Sequence, residues 1–214
     1  MSISNPVSNT STTNPVTLYL EWSGKNGFWK MYDKETQQRT ELKGDIKFAV
    51  LDTKNGVAGY VEGKGTVRSN EVDRIDKEEL TVTSYKDGES SLFERGMYGD
   101  IKDGLKAKGV KFRKIIYALI LEANDDIVGC VARLDLGGAA MTSWIQNSIP
   151  DGAGISVGDP ELKKTPIMEY YSPVFAKFVL SEDEAEEATT ADRSLQSYFG
   201  GFDKEEESSD DVPF

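Results

Sequence analysis

Short runs of β-branched and aromatic residues, broken every few positions by glycine, asparagine or aspartate, constrain this chain more than any other feature. Eight such runs read as strands: residues 16–22, 28–33, 46–51, 57–62, 80–85, 111–121, 127–134 and 174–180. Ser23-Gly24-Lys25-Asn26-Gly27 and Thr53-Lys54-Asn55-Gly56 have the composition of hairpin loops. Glu122-Ala123-Asn124-Asp125-Asp126 would join two long strands in the same way. A helix is expected over 98–108, where Ile101 and Leu105 lie four apart and Gly109 can end it. A second is expected over 139–149, stopped by Pro150. Residues 150–166 are rich in Gly and Pro and read as a loop. The pattern predicts a mainly β fold with one or two helices, in the manner of a small closed barrel.

Two absences narrow the chemistry. The chain has no histidine and one cysteine, Cys130. Zinc-finger sites, His-metal sites and Ser-His or Cys-His catalysis are therefore excluded. Cys130 lies in an apolar run and reads as a small core residue. Residues 1–15 are polar and rich in Ser, Thr and Asn, without the basic start and apolar run of a signal peptide. No stretch has the length and apolarity of a membrane span. The expectation is a cytoplasmic protein with a disordered N-terminal segment over 1–15.

The net charge of -12 argues against a polyanion partner until it is divided along the chain. Residues 181–214 carry 12 acidic and 2 basic side chains, so -10 of the charge lies there. Residues 1–180 carry only -2, and local clustering in such a body can still make a positive groove. The expected organisation is a body over 16–180 and a disordered acidic tail over 181–214.

Rings and cations are interleaved in three places in the body. The first is Lys25-Asn26-Gly27-Phe28-Trp29-Lys30-Met31-Tyr32. In a strand, Phe28, Lys30 and Tyr32 share one face, suited to base stacking, while Trp29 and Met31 share the other, suited to core. A one-residue slip exchanges the faces, so Trp29 stays among the candidates with Lys25, Phe28, Lys30 and Tyr32. The second is the densest basic stretch, with Lys102, Lys106, Lys108, Lys111, Arg113 and Lys114 against Asp103 alone. Around Phe112, it has the charge a groove following a phosphate backbone needs, although a solvated helix face leading into a strand would look the same. The third, Tyr60 with Lys64 and Arg68, is glycine-rich, and its spacing matches no phosphate loop or dinucleotide fingerprint. Its glycines read as a turn or bulge that lets a backbone approach. Glu122, Asp125 and Asp126 are the compact carboxylate cluster that a metal-dependent nuclease would require, in a setting where turn chemistry explains them as well.

Asp210-Asp211-Val212-Pro213-Phe214 combines two carboxylates, a conformationally fixed proline and an aromatic plug, which suits docking into a partner's basic-rimmed pocket. This sequence resembles the acidic tip of bacterial and phage single-stranded DNA-binding proteins. The resemblance implies an OB-fold body, a five-stranded Greek-key barrel here bearing extra strands, that coats single-stranded DNA without sequence preference. It implies no catalysis, metal or cofactor. It also implies that the tip recruits replication, recombination and repair proteins, and that homo-oligomers can form. Length and residue order favour a divergent phage-encoded type. Two alternatives remain open: a replication adaptor without strong DNA binding, and a metal-dependent nuclease or other DNA-processing enzyme.

Overall fold

The computed structural model describes residues 13–123 and 126–207, with side chains described up to Gly200. The fold is mainly β. Eleven strands and three helices are present among the described residues. An antiparallel meander opens the chain: β1 (Val16–Ser23), β2 (Phe28–Asp33) and β3 (Arg39–Leu42). Next come β4 (Ile46–Val61), β5 (Gly65–Ser69), β6 (Glu79–Lys86), β7 (Glu89–Met97), α1 (Tyr98–Ala107), β8 (Lys111–Glu122) and β9 (Val131–Leu136). Helix α2 (Gly138–Gln146), β10 (Gly154–Lys164), β11 (Glu169–Phe178) and α3 (Glu182–Glu207) complete the order.

The strands lie side by side as β3-β2-β1-β9-β8-β4-β5-β6-β7. The β1–β9 pair is parallel and every other ladder is antiparallel, so the sheet is mixed. Strand β4 organises the molecule. It pairs with β8 along most of its length, with β10 over residues 46–49 and with β5 over 58–61. Two register shifts bend the β4–β8 ladder. One half of β4 thus serves a curved body, and the other an arm made of β5, β6, β7 and α1.

Alternation along the strands produces three apolar clusters. Inside the body, Leu18, Leu20, Trp29, Phe48, Ile116, Ile120 and Leu134 pack with Trp144 of α2, whose indole stacks on Phe48 at 6.4 Å. Strand β11 meets the β1–β2 turn, where Tyr171 N–H donates to the Gly24 carbonyl at 2.7 Å. In the arm, Val57, Val67, Leu80 and Val82 face Leu105 of α1. The turn after α1 lies so close to β4 that a Cβ on Gly59 would stand 2.6 Å from the Gly109 carbonyl oxygen. On the outer face of the body, Ala49, Leu51, Tyr117 and Leu119 meet Ala188 and Leu195 of α3.

That last contact corrects an expectation. The chain beyond Leu180 is not a disordered acidic tail from residue 181 onward, because α3 is seated on the sheet. Residues 1–12 and the Asp210–Phe214 tip lie outside the described residues. Both helices expected in the body are present, within three residues at each end. Thr53-Lys54-Asn55-Gly56 is no hairpin loop: β4 runs through it, with Asn55 bridged to Val72. Residues 150–166 are not only a loop, since the whole of β10 lies there, with its register shift between Gly158 and Glu161 absorbing Pro160. The expected strand over 127–134 starts later, at Val131.

Candidate functional site

The outer face of the body is divided between α3 and open surface. Where α3 stops covering it, two adjoining cavities of about 490 and about 1120 Å³ form one groove across β3, β2, β1, β9, β8 and the start of the arm. Tyr19, Ala58, Thr66, Arg68, Arg113, Arg133 and Asp135 line both cavities. Tyr198 of α3 marks the boundary, lining the smaller cavity beside Tyr19.

Strand alternation explains how these side chains gather. In β1, Leu18 and Leu20 go into the core, which turns Tyr19 and Glu21 outward. In β2, Trp29 and Met31 go inward, leaving Phe28, Lys30 and Tyr32 on the groove side. Tyr19 and Tyr32 are register partners with ring centroids 6.1 Å apart. Arg39 of β3 lies 5.8 Å from the Tyr32 ring centroid, and Lys43 Nζ 5.3 Å from that of Phe28.

A charged network floors the smaller cavity. Glu71 accepts from the Tyr117 hydroxyl at 2.6 Å and from Arg133 Nε at 2.9 Å. Arg133 also pairs with Asp135 at 3.4 Å, and Arg113 approaches Asp135 at 3.7 Å and Glu21 at 3.9 Å. Burial, with the neighbouring Glu71 carboxylate, pushes the Tyr117 phenol far above its ordinary range. Burial opposes the Arg133 charge, but Glu71 and Asp135 more than offset it and hold the guanidinium ionised. These two arginines are therefore largely neutralised by carboxylates. Lys30, Lys34, Arg39 and Arg68 also line the groove, and none of the four has a carboxylate partner among the described residues.

Of the residues singled out from the sequence, Phe28, Lys30, Tyr32, Tyr60, Arg68 and Arg113 come together in the groove. Lys25 and Lys64 are exposed in the turns that follow β1 and β4. Trp29 is corrected as a contact candidate: at 2% exposure it is core, edge-on to Trp22 at 5.1 Å. The dense basic stretch is dispersed by its secondary structure. Lys106 rides on α1, which covers the other side of the arm, and Lys108, the residue capping its C-terminus, is engaged with Glu94 and the Phe93 ring. Lys111 is exposed at the start of β8, and the Phe112 ring packs beside Tyr98 at 5.8 Å. Lys114 alternates to the opposite face, hydrogen-bonds Asn55 at 3.3 Å, and is held below its usual range by burial. Sequence reasoning missed Tyr19, Lys34, Arg39 and Arg133. The alternation of β1 held the signal for Tyr19, whereas Arg39 needed a strand that the sequence did not announce.

In the expected carboxylate cluster, Glu122 pairs with Lys47, and Asp125 lies outside the described residues. No group of three or more His, Cys, Asp or Glu side chains placed to hold a metal occurs among the described residues. No helix among them is long and apolar enough to cross a membrane. Fold and site together define a mainly β protein with an open groove of rings and cations on its sheet. No protein-family model matches the chain, and no curated protein or solved structure does so either.

Proposed function

We propose that this chain binds single-stranded DNA without sequence preference and serves replication, recombination or repair. The groove is the observation that carries the reading. Tyr19, Phe28 and Tyr32 offer ring faces along it, and Lys30, Lys34, Arg39 and Arg68 offer charge not already committed to carboxylates. Base–ring stacking contributes about 1–3 kcal/mol per base and tolerates any sequence, while the cations follow the phosphates. The order of the body's strands supports a reading as an OB-type barrel. Strands β4, β8 and β9 lie in succession, α2 follows β9, and β10 returns to the far side of β4, a Greek-key order extended by β11. In this reading β8 and β9 are the second and third barrel strands, the face such barrels present to oligonucleotides. The arm is then an enlargement of the loop between the first two strands.

The Asp210–Phe214 sequence would recruit partner proteins through its aromatic plug and carboxylates. Binding of labelled oligo-dT, followed by anisotropy, tests the groove. The double variant Arg39→Ala/Arg68→Ala should bind more weakly and show a salt slope shallower by about 1.4, since each phosphate contact on a single strand adds about 0.7. An unchanged slope would exclude those cations from the interface. Removing residues 210–214 should leave DNA binding intact and abolish capture of replication proteins. Unaltered capture would refute the role of the tip.

A further inference from the structure

The arm has two faces, and one of them packs on α1. Val57, Val67, Leu80 and Val82 point at α1 and are buried. No element among the described residues covers the other face, which carries Tyr60 at 73%, Tyr85 at 50% and Leu92 at 65% exposure. Register sets these residues in rows. Tyr60 lies opposite Thr66, and Thr66 opposite Tyr85, so both rings share one line across β4, β5 and β6. The next row holds Ala58, Arg68, Thr83 and Leu92. The turn leading into β5 fixes this alignment: Gly65 has φ +81°, and a Cβ there would collide with the Tyr85 carbonyl oxygen.

We propose that this face is a second base-stacking subsite, in which Tyr60 and Tyr85 hold bases of a single strand leaving the main groove and Arg68 holds the phosphate between. This rests on the single-strand reading of the groove. Continuity argues for the same strand as occupant: Thr66 and Arg68 line both cavities, Tyr60 lines the larger and Tyr85 the smaller. Charge argues for it as well, because Arg68 has no carboxylate partner among the described residues. Spacing supplies a size. Two ladder steps separate the Tyr60 and Tyr85 backbones by about 10 Å. At a rise of about 3.4 Å per base, that interval admits a stack of about two bases between the rings. The arm therefore lengthens the binding site by about two to three nucleotides beyond what the body covers.

The test is a length series of labelled oligo-dT bound to the full chain, to Tyr60→Ala/Tyr85→Ala and to Tyr60→Phe/Tyr85→Phe. The wild-type chain should gain affinity when the oligonucleotide becomes long enough to reach the arm. The alanine variant should bind short oligonucleotides normally and lose that gain, by tenfold or more on the longest. The phenylalanine variant should keep it, since stacking needs the ring and not the hydroxyl. Equal losses at every length would overturn the proposal, because the rings would then act in the main groove or in folding. An unchanged length series would also overturn it, and if accompanied by altered sedimentation would assign the face to a second copy of the chain. Wild-type chain that binds no oligonucleotide of any length would instead refute the reading on which the subsite rests.

Discussion

At the residue scale, the floor of the groove shows how a buried charge is made tolerable. Arg133 sits beneath the open surface with Glu71 and Asp135 around it, and Tyr117 gives Glu71 another donor. Removing one partner from such a set leaves the others unsatisfied, which costs more than the bond itself contributes. Tyr117→Phe should destabilise the protein by about 1–3 kcal/mol in thermal or denaturant unfolding. The pH dependence has a definite sign. The folded phenol holds its proton to a higher pH than the unfolded one, whose ordinary value is near 10. Its contribution is complete below about pH 10 and is lost as pH rises above it. Stability should therefore fall on the alkaline side, less steeply in Tyr117→Phe than in the wild type. Equal alkaline slopes would remove Tyr117 from the account. None of this network was legible in advance, because Glu71, Tyr117 and Arg133 come from separate segments and meet only through tertiary pairing.

Elements were legible where period and length agreed, and obscure where composition pulled the other way. The alternation of β2 separated Trp29 from Phe28, Lys30 and Tyr32, and burial follows that division. Strand β8 announced itself by a long apolar run, buried on one face by the body core and on the other by α3. Strands β3, β5 and β7 have few buried residues to mark them, and β10 was masked by its glycines and prolines. In Thr53-Lys54-Asn55-Gly56 the turn-forming residues were overridden by pairing with β8. Helix α3 is the instructive case. Its acidity read as a disordered tail, yet Ala188, Ala191, Leu195 and Phe199 recur at helical spacing and form the docked stripe. Ser181 and Glu184 close a reciprocal capping box, with Ser181 N–H donating to Glu184 at 2.8 Å and Glu184 N–H to Ser181 Oγ at 3.3 Å. Ser181→Ala should cost about 1 kcal/mol. Leu195→Ala should cost about 2–4 kcal/mol and speed amide exchange in α3 before the body strands. Exchange that stays uniform would mean α3 and the sheet open as one unit.

At the scale of the whole molecule, the problem is how a chain of net charge -12 attracts a polyanion. Segregation resolves it. The acidic load lies on α3 and the residues after it, which leaves the sheet face beside α3 to carry rings and unpaired cations. Composition revealed the segregation. The converging groove was only half visible, because the densest basic run was spread over three different surfaces by α1 and β8. The most direct test is a salt titration of oligo-dT binding, with the full chain and with a variant lacking residues 203–214. Both should bind at low salt, and the logarithm of affinity should fall against the logarithm of salt with a slope of about -3, as four phosphate contacts require. Absence of binding at low salt by both proteins would contradict the account.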